Sequence, residues 1–544
     1  MGKTKKVSLL VLLVLAVILA SPLLVSSVRP DGSMLINGSG DNLWHLSLSA
    51  EVTKQFPPTF PGMSGVTLQN YHYFSDALWG ILGGLTGLPI PVIYFQVGSL
   101  LVCFLLVWLV FKLAKVYSLN DFWSIVCVIT TLFVGSAAFI KPLFIKDTAW
   151  SGNAFMLDQP YDQLINLHTG IGYILLILGT LFMFKWFSTR SVKFGYLAAA
   201  VLSLLFGFKI FFAIPIALAF GVTCLLQVKR SSFSSLLPAL LLFVLSTLIY
   251  YLIVDTTGPV HSPPISFRPG WLLTKMVEDP ERFSLEGFYL KYLHYQSKGN
   301  WFRITQMEIE KIIIYLLGNF WVKLLGLLYL VKTFRKHISA NIFISLSILF
   351  SLSMPLFITP QPDPFNAVQF GQVAVLFTGF SLGLFLSSVN KGKLLLLLLA
   401  PVFIFSLSKD FFNSNKFHEY VITKDEYSAL RYLKENTDRY SVVMVDPVFD
   451  NKKMKVTALA ERRTFYSGGN IAWLLGAYDS QRGSIQELFF ASASDSAYIK
   501  GIVNQYGINY IYTSTAPKFG NTDYPLVFSN PTVSIFQTET SYLD

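Results

Sequence analysis

The chain has 544 residues, of which 53% are hydrophobic and only 13% are charged, and its formal net charge is +11. Soluble domains usually contain about 25% charged residues, so this composition excludes an ordinary soluble protein and indicates a polytopic membrane protein. The Lys and Arg residues recur in short clusters between apolar runs, which is typical of membrane topology and argues against nucleic acid as a partner. Cys103, Cys127 and Cys224 lie within apolar runs and lack the spacing of a zinc site, so we expect packing residues and no disulfide framework.

The first apolar run covers residues 7–28 and follows Lys3, Lys5 and Lys6. Its roughly 20 apolar residues are enough to cross a bilayer core of about 30 Å. A signal peptide is the alternative, but its apolar region usually has only about 7–15 residues. We therefore predict an uncleaved first span with the N-terminus in the cytoplasm.

The first outer loop is predicted at residues 29–76. It contains Asp41 and His45, followed by the segments FPPTFPG and YHYFSDALWG. The next apolar region, residues 77–111, is interrupted by glycine and proline. Irregular backbone is tolerated near the membrane interface or against protein, so we interpret this region as a short interfacial helix that leads into one span.

A third span is predicted over residues 122–140, followed by a second outer loop at residues 141–166 and a fourth span that begins near His168. Residues 195–228 are apolar except for Lys209, and both flanks are basic. An even number of crossings fits these flanks. We therefore predict a hairpin of two short spans that turns near Lys209.

The longest outer loop, residues 255–305, contains Arg268 and a helix-like segment at residues 278–296. The remaining spans are predicted near residues 236–254, 305–332, 341–355, 369–389 and 394–408. The total is about eleven spans, and the short inner segments carry Lys or Arg, the situation in which the positive-inside rule applies best. This rule puts the N-terminus inside and the C-terminus outside the plasma membrane, with residues 1–408 as the membrane domain.

The last part of the chain, residues 409–544, is predicted to form an extracytoplasmic α/β domain. Its predicted elements are helices at 426–437 and 497–506, strands at 440–446 and 508–514, and a hairpin at 525–539. No GxGxxG or GxxxxGKS phosphate loop occurs in it, which argues against an attached nucleotide-binding domain. The predicted fold class is thus a polytopic α-helical membrane protein with a C-terminal extracytoplasmic α/β domain.

Asp41 and His45 are the first candidate chemical groups. Their spacing puts them on one face of a helix if Asn42 onward is helical, with Ser39 or Asp41 as the cap. A carboxylate at the membrane surface could remove a proton from an acceptor hydroxyl or bind a divalent cation, with His45 as its hydrogen-bond partner. In the structural alternative, Asp41 only caps the helix and His45 is an interfacial polar residue.

Asp158 and Asp162 have the same spacing in the second predicted outer loop, which also contains Asp147. A second acidic cluster on the same predicted membrane face would suit a metal-bridged phosphate or pyrophosphate donor. Solvated loop carboxylates are the alternative. His168 is either a further substrate-binding residue or a polar residue at the end of a helix.

Lys209 and Arg268 are candidate cations for a substrate phosphate. A charge near the bilayer centre costs about 2.5–3.5 kcal/mol on insertion scales, so Lys209 is expected to face a cavity or a partner. Snorkelling to the interface is the alternative. Arg268 could meet a lipid phosphate on the outer face, with a solvated loop charge as its alternative.

Several segments together resemble a known family. They are GDNLWHLSLSAEVTKQFPPTFPG in the first loop, YHYFSDAL at the entry to the next helices, GFKIFFAIP around Lys209, and YLKENT, ALAERRTFY and YGINYIYTS in the C-terminal domain. With the predicted topology, they resemble the integral-membrane glycosyltransferases of the C-type superfamily. Within it, the chain is similar to the protein O-mannosyltransferase and lipid A aminoarabinose transferase group and to bacterial relatives of unassigned specificity.

The resemblance implies transfer of a sugar from a polyprenyl-phosphate donor to a glycan, lipid or protein acceptor on the outer membrane face. The acidic residue of the family's first loop, a catalytic base or metal contact, falls on Asp41, and the second-loop acid falls on Asp158 or Asp162. The chain departs from the strictest pattern because Asp41 is followed by Asn42 and no WWDYG-like segment occurs. Dependence on a divalent cation is therefore left open, and an oligosaccharyltransferase is disfavoured.

The expected mechanism is an inverting displacement at the anomeric carbon. Asp41 would activate the acceptor hydroxyl, while Lys209 or Arg268 steadies the departing lipid phosphate. A lipid-linked glycan flippase or a non-catalytic membrane assembly protein is the alternative class. Two matching halves would favour a transporter and none is visible in the sequence, whereas an assembly protein would tolerate loss of Asp41.

Overall fold

The computed structural model describes most of the chain. The described residues are 3–68, 71–140, 153–228, 233–253, 265–333, 338–416, 419–450, 453–475, 479–491, 496–514 and 524–538. Asp147 lies outside them. About 71% of the structure is helical.

The helices are numbered in chain order. They are α1 (Lys3–Leu24), α2 (Ser39–Val52), α3 (Phe74–Thr86), α4 (Ile90–Val116), α5 (Asp121–Leu132), α6 (Pro160–Gln163), α7 (Leu167–Thr189), α8 (Val192–Phe208), α9 (Ile210–Val228), α10 (Ser234–Ile253), α11 (Trp271–Glu278), α12 (Phe288–Ser297), α13 (Trp301–Lys332), α14 (Ile338–Phe357), α15 (Pro364–Ser388), α16 (Gly392–Lys416), α17 (Lys424–Asn436), α18 (Pro447–Asp450), α19 (Gly469–Leu474), α20 (Ser480–Ala491) and α21 (Ser496–Tyr506).

The strands are numbered in the same way. They are β1 (Ser27–Val28), β2 (Met34–Asn37), β3 (Ile265–Phe267), β4 (Ile358–Pro360), β5 (Glu419–Ile422), β6 (Val442–Val445), β7 (Arg463–Thr464), β8 (Tyr510–Ser514), β9 (Leu526–Ser529) and β10 (Val533–Gln537).

Eight helices among the described residues are long and apolar enough to cross a membrane, which supports the polytopic membrane class. They are α1, α4, α7, α9, α10, α13, α14 and α15. Three shorter apolar helices, α5, α8 and the first part of α16, lie where the sequence predicts further spans. At about 1.5 Å per residue, the 12 residues of α5 extend only about 18 Å, well short of a bilayer core.

The chain divides into two compact units. The first consists of Met1–Ala20, Leu100–Tyr250 and Ser262–Phe417. Its most buried candidate span is α15, and small residues let other helices approach it closely. A Cβ added at Gly379 would lie 2.6 Å from the carbonyl oxygen of Thr130 on α5. Such close backbone approach through glycine is typical of helix packing in membranes.

The predicted helix over residues 278–296 is present only in its second half. In the structure α11 ends at Glu278 and α12 begins only at Phe288. Pro280 follows the end of α11, and Gly287 has a φ of +70°. Proline cannot continue the helical hydrogen bonds and a left-handed glycine interrupts a helical path, so residues 279–287 are not helical.

The second unit consists of Ser21–Ser99, Tyr251–His261 and His418–Asp544. Its larger sheet has the strand order β7-β6-β8-β10-β9, in which β6 runs parallel to β7 and β8, and β10 pairs antiparallel with β8 and β9. These strands include the predicted ones at 440–446 and 508–514 and the predicted hairpin. Helices α17 and α21 also lie where the sequence predicts them.

Residues from the first interhelical segment belong to the same unit. In a smaller sheet of order β1-β2-β5, β2 pairs antiparallel with β5, so Met34 lies opposite Ile422. Trp44 and Phe60 join Phe465 and Ile511 in one buried hydrophobic cluster. The unit therefore contains residues 21–99, which the sequence analysis assigned to the membrane domain.

A buried carboxylate connects these distant segments. Glu51, on α2, is fully buried and accepts hydrogen bonds from Arg463 Nε (2.9 Å), Lys54 Nζ (3.1 Å) and Thr59 Oγ1 (2.7 Å). Burial alone would raise the pKa of Glu51, but the charges of Lys54 and Arg463 and the hydrogen bonds outweigh it, so the pKa lies below its ordinary value. The ion cluster thus holds α2 against β7.

We expect Glu51→Gln to destabilise the protein by about 3 kcal/mol at neutral pH, because it leaves two cations poorly compensated. The folded-state pKa of Glu51 is depressed, so its contribution to stability is present above its ordinary pKa and lost as pH falls through the folded value. The difference between wild type and variant should therefore shrink in acid. Thermal unfolding of the purified protein in detergent, measured across pH, checks this.

The control is Glu435→Gln, which removes one partner of the exposed Arg431–Glu435 pair. Exposed pairs of this kind contribute less than about 1 kcal/mol. Equal effects of the two substitutions would show that Glu51 does not anchor α2.

Candidate functional site

Helices α2 and α3 approach each other through a glycine. A Cβ added at Gly80 would overlap the carbonyl oxygen of Ser49 and would also touch Thr53. One turn earlier on the two helices lie His45 and Asp76. The absence of a side chain at Gly80 therefore lets this polar pair meet between the helices.

His45 and Asp76 form a buried pair. His45 Nδ1 lies 2.8 Å from Asp76 Oδ1, and the two residues are 2% and 0% exposed. With Asp76 ionised, the geometry assigns the hydrogen to Nδ1, which donates to the carboxylate. A carboxylate in this position fixes the imidazole tautomer and stabilises the imidazolium when the ring takes up a proton at Nε2. The arrangement is suited to general base chemistry.

The environment of Asp76 keeps its proton affinity high. Burial raises the pKa of Asp76 above its ordinary value, and the charge and hydrogen bond of His45 offset part of this increase. The second carboxylate oxygen, Oδ2, is also buried and has no hydrogen-bond partner among the described residues. Because a buried acceptor without a partner costs free energy, a further hydrogen bond to Oδ2 would be favourable.

Aromatic rings surround the imidazole. The Tyr94 ring stacks on His45 with centroids 6.4 Å apart, and the Tyr94 hydroxyl donates to Asn42 Oδ1 at 3.0 Å. The Tyr71 ring lies at the same centroid distance from His45. Burial, together with the charges of Asp76 and Asp41, raises the pKa of the Tyr71 hydroxyl well above its ordinary value. Tyr71 is therefore a neutral hydroxyl in this cluster.

Asp41 lies in the first turn of α2 and is exposed. It precedes His45 by one helical turn, so the predicted shared face is present. The predicted cap is wrong, because Gly38, with φ 67°, occupies the N-cap position and no side chain caps the helix. Only glycine readily adopts this left-handed conformation at the start of α2. The carboxylate bonded to His45 Nδ1 is that of Asp76.

The first unit contains a second polar cluster. Lys209 Nζ lies 2.9 Å from His168 Nε2, and both residues are buried. Lys209 occupies the break between α8 and α9, where its φ of −160° and ψ of 83° are not helical. On α7, a Cβ at Gly172 would lie 3.2 Å from Lys209 Cβ, so a glycine again allows the close approach. The lysine ammonium donates to the imidazole nitrogen.

Asp158 and Asp162 lie in the segment before α7. Asp158 accepts a hydrogen bond from Gln163 at 2.6 Å. Asp162 lies within the single turn of α6. Lys323 donates to Gln159 Oε1 at 2.6 Å and so fixes the segment. The Tyr173 ring packs 5.0 Å from Phe212, three residues after Lys209, so α7 contacts the start of α9 beside this lysine.

Arg268 follows β3 elsewhere in the first unit. Its backbone N–H donates to the carbonyl of Phe357 at 2.8 Å, and the residue is exposed. Asp158, Asp162, His168, Lys209 and Arg268 thus belong to the first unit, whereas Asp41 and His45 belong to the second.

The described residues contain no group of three or more His, Cys, Asp or Glu side chains that could hold a metal ion. Asp158 is also hydrogen-bonded to Gln163. The carboxylates within the described ranges therefore do not make a complete ligand set for a divalent cation.

Asp76 is the principal site residue that sequence reasoning did not assign. It lies within YHYFSDAL, and the buried positions Asp76, Trp79, Gly80 and Gly83 follow helical spacing. An acidic residue on the buried face of an amphipathic helix is a usable signal. Its partner, 31 residues away, could not be read from the pattern.

No protein-family model matches the chain, and no curated protein matches it. The function proposed below therefore depends on the chemistry of the two clusters.

We expect Gly80→Ala to separate α2 from α3, because the added methyl group overlaps backbone that cannot move aside cheaply. Overpacking of this kind typically costs about 1–3 kcal/mol. Gly84→Ala on the same helix is the matched control, since a Cβ there meets nothing within 4 Å. Thermal unfolding should show a loss for the first variant and no loss for the second; equal behaviour would refute the packing argument.

Proposed function

We propose that the protein is a membrane glycosyltransferase that moves a sugar from a polyprenyl-phosphate-linked donor to an acceptor hydroxyl on the outer membrane face. The observation that carries the proposal is the buried His45–Asp76 pair, with Nδ1 and Oδ1 2.8 Å apart, next to the exposed Asp41. A buried carboxylate that orients a histidine is an arrangement for removing a proton. The eight apolar helices supply the membrane setting.

The chemical step is a displacement at the anomeric carbon. The acceptor oxygen forms a bond to that carbon while the bond from the carbon to the lipid phosphate oxygen breaks. The departing polyprenyl phosphate keeps the electron pair, and His45 takes the hydroxyl proton at Nε2. Asp76 stabilises the resulting imidazolium through Nδ1, and Asp41 hydrogen-bonds the acceptor.

The surface of α3 supports a lipid-linked substrate. Leu78, Ile81 and Leu85 repeat at helical spacing and are 37%, 53% and 78% exposed, while Asp76 lies on the buried face. A helix with an exposed apolar face is suited to lie at a membrane interface. Only three residues separate α3 from the candidate span α4. This position would hold the His45–Asp76 pair at the level of lipid headgroups.

In the first unit, the Lys209–His168 pair is suited to bind an anion. The lysine ammonium can donate to a phosphate oxygen, and ammonium–phosphate hydrogen bonds are short and strong. The charge on Lys209 would stabilise an anionic group of the lipid-linked donor. This role is tested separately from that of His45.

The first test compares wild type, His45→Gln and Asp76→Asn in proteoliposomes supplied with labelled polyprenyl-phosphate sugars and acceptor extracts. Loss of the general base should lower kcat by about 10²–10⁴-fold. Asp76→Asn should lower kcat by at least about tenfold without raising the KM for the donor, because it removes the orienting carboxylate. Thermal unfolding monitors folding of each variant.

Glu435→Gln, on an exposed helix face, is the control and should leave transfer unchanged. Asp41→Asn separates the roles of the two carboxylates: a raised acceptor KM fits acceptor binding. Full activity of a folded His45→Gln protein would refute the proposed mechanism. If wild type moves donor lipid across the bilayer without transferring sugar, the protein is a transporter instead.

The second test is Lys209→Met, which removes the buried charge. If this charge binds the donor phosphate, the KM for the donor should rise by about tenfold or more, as expected for a lost hydrogen bond to a charged group. Lys112→Met, at an exposed position over Trp108, is the control. An unchanged donor KM in a folded Lys209→Met protein would refute phosphate binding at this lysine.

A further inference from the structure

A cleft of about 360 Å³ lies between α12 and the start of α13 in the first unit. Met307 is the buried residue among those that line it, and Phe288 and Tyr295 add aromatic surface. None of the candidate glycosyltransferase residues contributes to this cleft. It is large enough for a small polar group such as a lipid headgroup.

The charges that line the cleft are balanced. Lys291 and Arg303 provide two cations, and Glu286 and Glu310 provide two anions. On α13 they are joined through one amide: Arg303 Nη1 donates to Gln306 Oε1 at 2.6 Å, and Gln306 Nε2 donates to Glu310 Oε1 at 2.8 Å. The α13 side of the cleft therefore has a cation, Arg303, and an anion, Glu310, with Gln306 between them.

An apolar stripe continues from the cleft along the same helix. Ile313 follows Gln306 by seven residues and Leu317 follows Glu310 by seven, so each lies almost directly below a cleft residue. Ile313 and Leu317 are 47% and 53% exposed. No charged residue occurs from Ile312 to Val322, which places the boundary between polar and apolar surface just after the cleft.

We propose that this cleft binds the headgroup of a phospholipid with a primary ammonium, that is, a phosphatidylethanolamine, whose acyl chains lie along the Ile313–Leu317 stripe. The phosphate contacts Lys291 and Arg303, and the ammonium donates to Glu286 and Glu310. Both interactions are charge-assisted hydrogen bonds. The site is independent of the proposed glycosyl transfer.

The mixed charge selects among headgroups. A purely anionic headgroup would satisfy the two cations but would lie against two carboxylates. A trimethylated headgroup keeps the positive charge but has no N–H to donate. The phosphatidylethanolamine headgroup satisfies both ends of the cleft, with its phosphate at the cations and its ammonium at the carboxylates. Specificity arises from the unpaired groups that the other headgroups leave behind.

The test measures binding of three dioleoyl lipids to the purified full chain by native mass spectrometry: phosphatidylethanolamine, phosphatidylcholine and phosphatidylglycerol. Phosphatidylethanolamine should bind about three- to tenfold more tightly than either of the others, a range that allows for the exposure of the charged groups. Glu310→Gln should remove its advantage over phosphatidylcholine. Arg303→Gln should weaken both, because both contain the phosphate.

The matched controls are Glu281→Gln and Lys298→Gln, exposed charges of the same region that do not line the cleft. They should leave all three affinities unchanged, and thermal unfolding checks that every variant is folded. Equal binding of the three lipids, tightest binding of phosphatidylglycerol, or an unchanged preference in Glu310→Gln would overturn the proposal. Displacement of the lipid by equimolar free O-phosphoethanolamine would also overturn it, because the acyl stripe would then contribute nothing.

Discussion

The ion pair between the buried carboxylate of Glu51 and Arg463 is the interaction on which the second unit depends. Glu51 lies near the end of α2, and its partner Arg463 is 412 residues away in the chain. A buried carboxylate is tolerated only with compensating charges and hydrogen bonds, and Arg463, Lys54 and Thr59 supply them. The pair links α2 directly to β7, at the edge of the larger sheet.

With α2 held in this way, its other residues acquire fixed neighbours. Ser47 bonds to Thr457 at 2.7 Å, and Asn42 Nδ2 donates to the carbonyl of Asn37 at 2.7 Å. The glycine contact at Gly80 then sets the separation from α3. His45 and Asp76 meet because both helices are positioned by contacts elsewhere, which is the usual way in which a protein preorganises a polar pair.

The first unit contains buried lysine side chains. Lys209 and Lys323 are almost completely buried, and each is bonded to a neutral side chain, His168 and Gln159 respectively. Lys209 enters the proposed function because its ammonium can donate a hydrogen bond to a phosphate oxygen.

The sequence by itself determined the class of the protein and the positions of its apolar helices, because hydropathy and helical or strand periodicity are properties of adjacent residues. It also located α17, α21, β6 and β8 and the Asp41–His45 face. It did not determine the partner of His45, the pairing of β2 with β5, the bond between Glu51 and Arg463, or the bond between Lys209 and His168. These join residues from 31 to several hundred positions apart, and only the packing of the tertiary structure decides which buried polar groups meet.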